Sequence, residues 1–165
     1  SPRRSEAVMP HGHSRLLLLA LALAPGALRA QAAPRVVFTD GAPKQIGPYS
    51  QGVISNGMLF TAGQTGRDPA TGKLVEGGLV AEAQRVFDNL EAVLTAAGAR
   101  MTDVVKVTVF MTDLADFEKM NAVYVQRLGA ARPARSTVQV AKLPGGASIE
   151  IEMVAQLPAP AAKRP

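Results

Sequence analysis

The segment Val104 to Met111 is apolar at nearly every position, with only Lys106 and Thr108 interrupting. A run of that length and composition reads as a strand covered on both faces, and so as an internal member of a sheet. On either side of it the apolar spacing changes to the helical period. Leu79 to Ala97 places Leu79, Ala83, Val86, Leu90, Val93 and Ala97 on one face, and Gly98 stands where a C-terminal cap belongs. Leu114 to Leu128, capped by Thr112 or Asp113, carries Leu114, Phe117, Met120, Tyr124 and Leu128 as a single stripe. An internal strand between two one-sided helices requires both helices to lie on the sheet that contains it.

The remaining elements are β-prone. Arg35 to Thr39 is a short run, and Gln51 to Ser55 is joined to Met58 to Ala62 by Asn56-Gly57, a strong hairpin signal. Gly63 to Gly78 holds five glycines and a proline and is expected to be irregular. Ser136 to Ala141 and Ser148 to Ala155 flank Leu143-Pro144-Gly145-Gly146, which predicts a pair of strands with a short connection. The order β, β-hairpin, α, β, α, β, β gives an α+β fold, a two-layer sandwich of a six-stranded mixed sheet with two helices on one face. The other face is left without a helix, and oligomerisation is the simplest cover for it.

Within the last strand Ile149, Ile151 and Met153 point one way while Glu150 and Glu152 point the other. Arg135 sits at the mouth of the strand before it. An arginine and carboxylates on neighbouring strands can form a charged site on a rigid sheet, or a structural ion pair between Arg135 and Glu150 or Glu152. Glu152 reads as structural or interfacial, and Met120 and Tyr124 as core.

The first 32 residues read as a removable address: Arg3, Arg4 and Arg15 precede the apolar run Leu16 to Ala24, and Ala30-Gln31-Ala32 resembles a cleavage site. That leader predicts a periplasmic or secreted domain over residues 33–157, with a Pro/Ala/Lys/Arg tail, 158–165, expected to be disordered. It holds four of the 18 basic and one of the 13 acidic residues, which leaves 14 against 12 in the remainder. The near-neutral balance, without a basic cluster interleaved with aromatics, argues against nucleic-acid binding. After signal cleavage no membrane association is expected. Both histidines, His11 and His13, lie in the leader, and the chain has no cysteine. Any chemistry in the domain therefore falls to Arg, Lys, Glu, Asp, Tyr, hydroxyls, backbone groups and water, without thiol catalysis or zinc-thiolate sites.

Several ordered motifs resemble the RidA/YjgF-type reactive-intermediate deaminases. They are Ile46-Gly47-Pro48-Tyr49-Ser50-Gln51-Gly52, Leu59-Phe60-Thr61-Ala62-Gly63-Gln64, Val107 to Leu114, and Arg132-Pro133-Ala134-Arg135-Ser136 with Ile149-Glu150-Ile151-Glu152. The resemblance spans about Val36 to Ala155. It implies a chorismate-mutase-like fold assembled as a homotrimer, with small-carboxylate sites in the clefts between subunits. It also implies cofactor-free and metal-free hydrolysis of enamines and imines, such as 2-aminoacrylate, to 2-keto acids and ammonia.

Carried over by position, the resemblance assigns Arg135 to the substrate carboxylate and Glu150 to the attacking water. Tyr49 and Asn121 would line the cleft, with backbone groups of Gly63 and Thr137 completing it. A guanidinium suits the first role because it offers two parallel donors and stays charged. The chain departs from the family pattern at Thr137, where many members have cysteine, and at Ala62, where many have serine. The link from the second helix to Arg132 is about three residues shorter than is common. Two other readings remain: a noncatalytic small-carboxylate-binding trimer, and an RNA-cleaving member of the same family.

Overall fold

The computed structural model describes residues 33–159. The leader read at residues 1–32, and residues 160–165 of the tail, lie outside them. Among the described residues no helix is long and apolar enough to cross a membrane.

The elements run β1 (Arg35–Val37), β2 (Gly52–Ser55), β3 (Met58–Thr61), β4 (Gln64–Thr65), α1 (Gly78–Ala97), β5 (Val104–Met111), α2 (Phe117–Leu128), β6 (Ala134–Gln139) and β7 (Ile149–Gln156). They form one mixed sheet in the order β1-β2-β3-β7-β5-β6, with β4 also paired to β7. Only β5 and β6 are parallel, because α2 carries the chain back between them. The sheet therefore has seven strands, one more than the sequence suggests. The extra strand lies in the glycine-rich stretch expected to be irregular, which also holds an isolated bridge between Arg67 and Leu74.

The expected adjacency of the last two strands is corrected. β5 lies between β6 and β7, so the 140–148 connection steps over a strand. Two strand spacings, about 10 Å, are easily spanned by a link of this length. The link is tied to the end of β5 by Val140 N–H to the Met111 carbonyl (2.8 Å) and Thr112 N–H to the Ser148 carbonyl (3.1 Å). The apolar character of β5 is thus accounted for by its place at the centre of the sheet.

Both helices pack on one face. Val107, Val109 and Met111 of β5 and Ile149, Ile151 and Met153 of β7 are buried beneath Phe87, Leu90 and Leu94 of α1 and Met120 of α2. The helices meet through the edge-on rings of Phe87 and Tyr124, whose centroids are 6.0 Å apart. α1 ends at Gly98, whose positive φ lets its N–H reach the Leu94 and Thr95 carbonyls. The second helix begins with a 3₁₀ turn, Leu114–Asp116, and Asp113 caps it by accepting from Ala115 N–H at 2.8 Å.

The opposite face carries the alternate residues of the same strands: Glu150 and Glu152 of β7, Thr108 and Phe110 of β5, and Phe60 of β3. Val36, Phe60 and Val138 on this side are 48%, 48% and 41% exposed, so the face is a mixture of apolar and charged groups.

Candidate active site

The sequence-derived site residues fall into two groups on opposite faces of the sheet. Arg135 is paired with Val107, which is paired with Met153, and both of those point into the core beneath the helices. Arg135 therefore lies on the helix-covered side, at the outer strand. Glu150, three residues from Met153, projects from the open side. The two are not on neighbouring strands, and one chain does not bring them together.

The first group is built on β6 and α2. Arg135 Nη1 donates to Asn121 Oδ1 at 3.0 Å. Its guanidinium carbon stands 4.3 Å from the Tyr124 ring centroid and 5.5 Å from that of Phe117. Stacking on an aromatic face and one amide bond fix the plane of the fork without neutralising it. Among the described residues no carboxylate lies within salt-bridge distance of Arg135. Asn121, Tyr124, Arg132 and Arg135 line a cavity of about 370 Å³. Burial raises the Tyr124 phenol above its ordinary range, with the Arg135 charge acting in the other direction. Tyr124 is a core residue, as its spacing suggests, and also the platform for the arginine. Thr137 follows on the same side of β6, its hydroxyl buried without a partner among the described residues.

The second group surrounds Glu150. β3 ends at Thr61, whose hydroxyl oxygen accepts the Met153 amide at 2.9 Å, and pairing with β7 resumes at Gln64. Ala62 and Gly63 lie between the two short strands, and the Glu150 carboxylate folds over Gly63. A Cβ at Gly63 would overlap Glu150 Oε1 and come within 2.7 Å of its Cδ, so only glycine permits this approach. Tyr49, Gly63, Arg67, Pro144 and Glu150 line a cavity of about 330 Å³. Burial, and then the negative charge of Glu152, push the Glu150 carboxyl above the usual carboxylate range. Glu152, read from the sequence as structural or interfacial, shares a strand face with Glu150 and adds its negative charge to the surroundings of that carboxyl.

Two residues not singled out from the sequence shape this second cavity. Arg67 is one of them. The other is Gln51, 2% exposed, whose Nε2 donates to the carbonyls of Thr39, Ala42 and Pro43 at 3.0, 3.2 and 3.0 Å while its Oε1 accepts Thr39 N–H at 2.7 Å. These bonds hold the 39–43 segment that leads into Tyr49. Replacing Gln51 by Leu is expected to destabilise the fold by about 1–3 kcal/mol, since it leaves buried backbone groups unpaired. Urea unfolding checks this; an unchanged midpoint would mean that water or a rearranged loop replaces the side chain.

Among the described residues no group of three or more His, Cys, Asp or Glu is placed to hold a metal ion. Chemically, the chain offers a fixed cationic fork in one cavity and a proton-accepting carboxylate in the other.

Comparison with known proteins matches the sequence model of the family described as Endoribonuclease L-PSP to residues 39–157. A RutC family protein of Pyrococcus horikoshii is 48% identical over 120 residues, covering 73% of this chain and 95% of the relative. The 2-iminobutanoate/2-iminopropanoate deaminase of Homo sapiens is 46% identical over 121 residues, covering 73% and 88%. Of solved structures, RidA from Psychrobacter sp. superposes with a TM-score of 0.72 at 44% identity, over 74% of this chain and 99% of that one. E. coli TdcF with bound serine gives a TM-score of 0.70 at 41% identity, over 74% and 98%.

Proposed function

This chain belongs to the RidA/YjgF family, and from that membership we propose that it hydrolyses 2-imino acids and their enamine tautomers to 2-keto acids and ammonia, at sites completed by a second copy of itself. The observation that carries the reading is Arg135: a guanidinium fixed by Asn121 and Tyr124, facing a cavity, with no acidic partner among the described residues. A cation so placed is matched by a small carboxylate. The deaminase named among the relatives supplies the reaction class.

In this reading the substrate carboxylate is held by Arg135 of one copy. Glu150 of the neighbouring copy accepts a hydrogen bond from a water aimed at the imine carbon. The water oxygen adds to that carbon and one of its protons passes through Glu150 to the nitrogen, giving a carbinolamine; the remaining hydroxyl proton then passes through Glu150 to the amine as the carbon–nitrogen bond breaks, leaving the keto group and ammonia. The imine carbon is already electrophilic, so holding the reactants in contact supplies much of the acceleration. A carboxylate whose proton affinity is raised by burial is a better base than an ordinary glutamate. Tyr49 and the backbone at Gly63 would bound the substrate beside Glu150, and Thr137 beside Arg135.

Assembly from identical copies is supported by the split itself. Each chain carries one half of the required groups on each face of its sheet, and the open face holds the exposed Val36, Phe60 and Val138. A closed cyclic arrangement, proposed here as a homotrimer, would bury those side chains and bring unlike halves together at every interface. The test generates imines in place with an amino-acid oxidase and follows keto-acid release. Acceleration over the spontaneous rate is expected. Saturable carboxylate binding without acceleration over a broad imine panel would replace this reading with that of a noncatalytic binder.

A further inference from the structure

The Glu150 cavity contains a cationic group that the proposed reaction does not use. Arg67 follows β4, and its Nη1 donates to the Gly72 carbonyl at 2.6 Å. Its Nη2 packs against Gly145, which has a φ of 63° and no room for a Cβ on that side. The arginine is thereby clamped between the 68–73 turn and the 144–146 turn while half-exposed to the cavity it shares with Glu150 and Lys44. No carboxylate among the described residues, Glu150 included, is within salt-bridge distance of it. One bond to a carbonyl leaves most of its five N–H donors unassigned. A guanidinium held in a partly enclosed place without a counter-charge favours an anion from outside the chain.

We propose that Arg67 binds a second acidic group of the substrate, so that the site prefers 2-imino dicarboxylic acids to neutral 2-imino acids. This rests on the deaminase reading above, in which Arg135 of the neighbouring copy takes the carboxylate next to the imine. Arg67 then takes the one at the far end of the side chain, with Lys44 adding to the positive potential. The specificity arises because a neutral side chain leaves the guanidinium unmatched, whereas an acidic one forms charge-assisted bonds to it.

The experiment compares imines made in place from aspartate and glutamate with those from alanine and 2-aminobutyrate. It uses the wild-type protein, Arg67→Met and Arg67→Lys. The wild type is expected to favour the acidic imines. Arg67→Met is expected to lose roughly tenfold or more in kcat/KM on them, the effect of about one charge-assisted bond, and to stay within about twofold on the neutral ones. Arg67→Lys, which keeps the charge, is expected to retain part of the preference. Equal losses on both classes would mean that Arg67 only clamps the two turns, and no preference in the wild type would overturn the proposal outright. If the wild type accelerates no imine, the deaminase reading fails and binding decides this one. Calorimetry with 2-oxoglutarate and 2-oxopentanoate should then show tighter binding of the dicarboxylate by the wild type and not by Arg67→Met. Equal affinities would reject the assignment.

Discussion

Arg135→Met is expected to lower kcat/KM for 2-imino acid hydrolysis by roughly 100- to 10,000-fold while leaving the protein folded. A carboxylate held by a two-pronged guanidinium receives two charge-assisted hydrogen bonds, each worth about 1.5–3 kcal/mol, and about 1.4 kcal/mol corresponds to a factor of ten. Methionine fills similar space against Tyr124 and Phe117, so the packing contact is largely kept and the charge alone is removed. Asn121 loses a partner but lies beside a cavity, where water can take over. Arg135→Lys is expected to fall between the two, because it restores the charge without the planar fork. Keto-acid release above the spontaneous rate is the measurement. Equal rates for wild type and Arg135→Met would remove the arginine from the mechanism, and with it the main support for an acid-bearing substrate.

Glu150→Gln is the second large effect, with kcat expected to fall by about 100-fold or more, in line with the loss of a positioned proton acceptor. The pH profile gives a sharper version. In the proposed mechanism the ionised carboxylate is the active form, and its proton affinity is raised by burial first and by Glu152 second. The acid limb of kcat/KM is therefore expected above the ordinary carboxylate range, with activity lost as the pH falls through it. Glu152→Gln removes the smaller cause and should move the limb to lower pH without returning it fully. The same shift has a stability consequence of opposite sense. The folded chain holds the Glu150 proton more tightly than the unfolded chain, so stability declines as the pH rises from the unfolded to the folded value. Glu150→Gln should remove that decline. An acid limb unmoved by Glu152→Gln would assign the titration to another group.

The sheet and its helices were largely legible because their signals are local and periodic. Val104 to Met111 announced a central strand, the α1 stripe and Gly98 gave a helix and its end, and Asn56-Gly57 gave the first hairpin. Turn chemistry reports that a chain reverses but not what it passes over. Leu143-Pro144-Gly145-Gly146 therefore suggested a hairpin where the structure has a link across the end of β5. Strand β4, only Gln64 and Thr65, is too short to have a period of its own; it exists because β7 extends past the end of β3.

Legibility of the site followed the same division. The alternation of Ile149, Ile151 and Met153 fixed the facing of Glu150, but β6 reads Ala-Arg-Ser-Thr-Val-Gln and has no apolar alternation to fix the facing of Arg135. The distribution of the site residues over two faces could not be read for that reason; it follows from the registers of β6 on β5 and of β5 on β7. Tyr124 was legible as core, and its second use as a seat for a guanidinium depends on a contact between α2 and β6. Arg67 carried no signal, being one charge in a glycine-rich stretch, and gains meaning only from the turns that clamp it.

The most direct test of the shared site is complementation between two inactive variants. Arg135→Met and Glu150→Gln are co-expressed in equal amounts, and the mixed assemblies are verified by native mass spectrometry. If each site takes its arginine from one copy and its glutamate from the next, random mixing should return about a quarter of wild-type activity, because half of the arginines and half of the glutamates are intact and meet at identical interfaces. Verified mixed assemblies with no more activity than either variant alone would contradict the account, since they would place both groups in the service of a single chain or of no reaction at all.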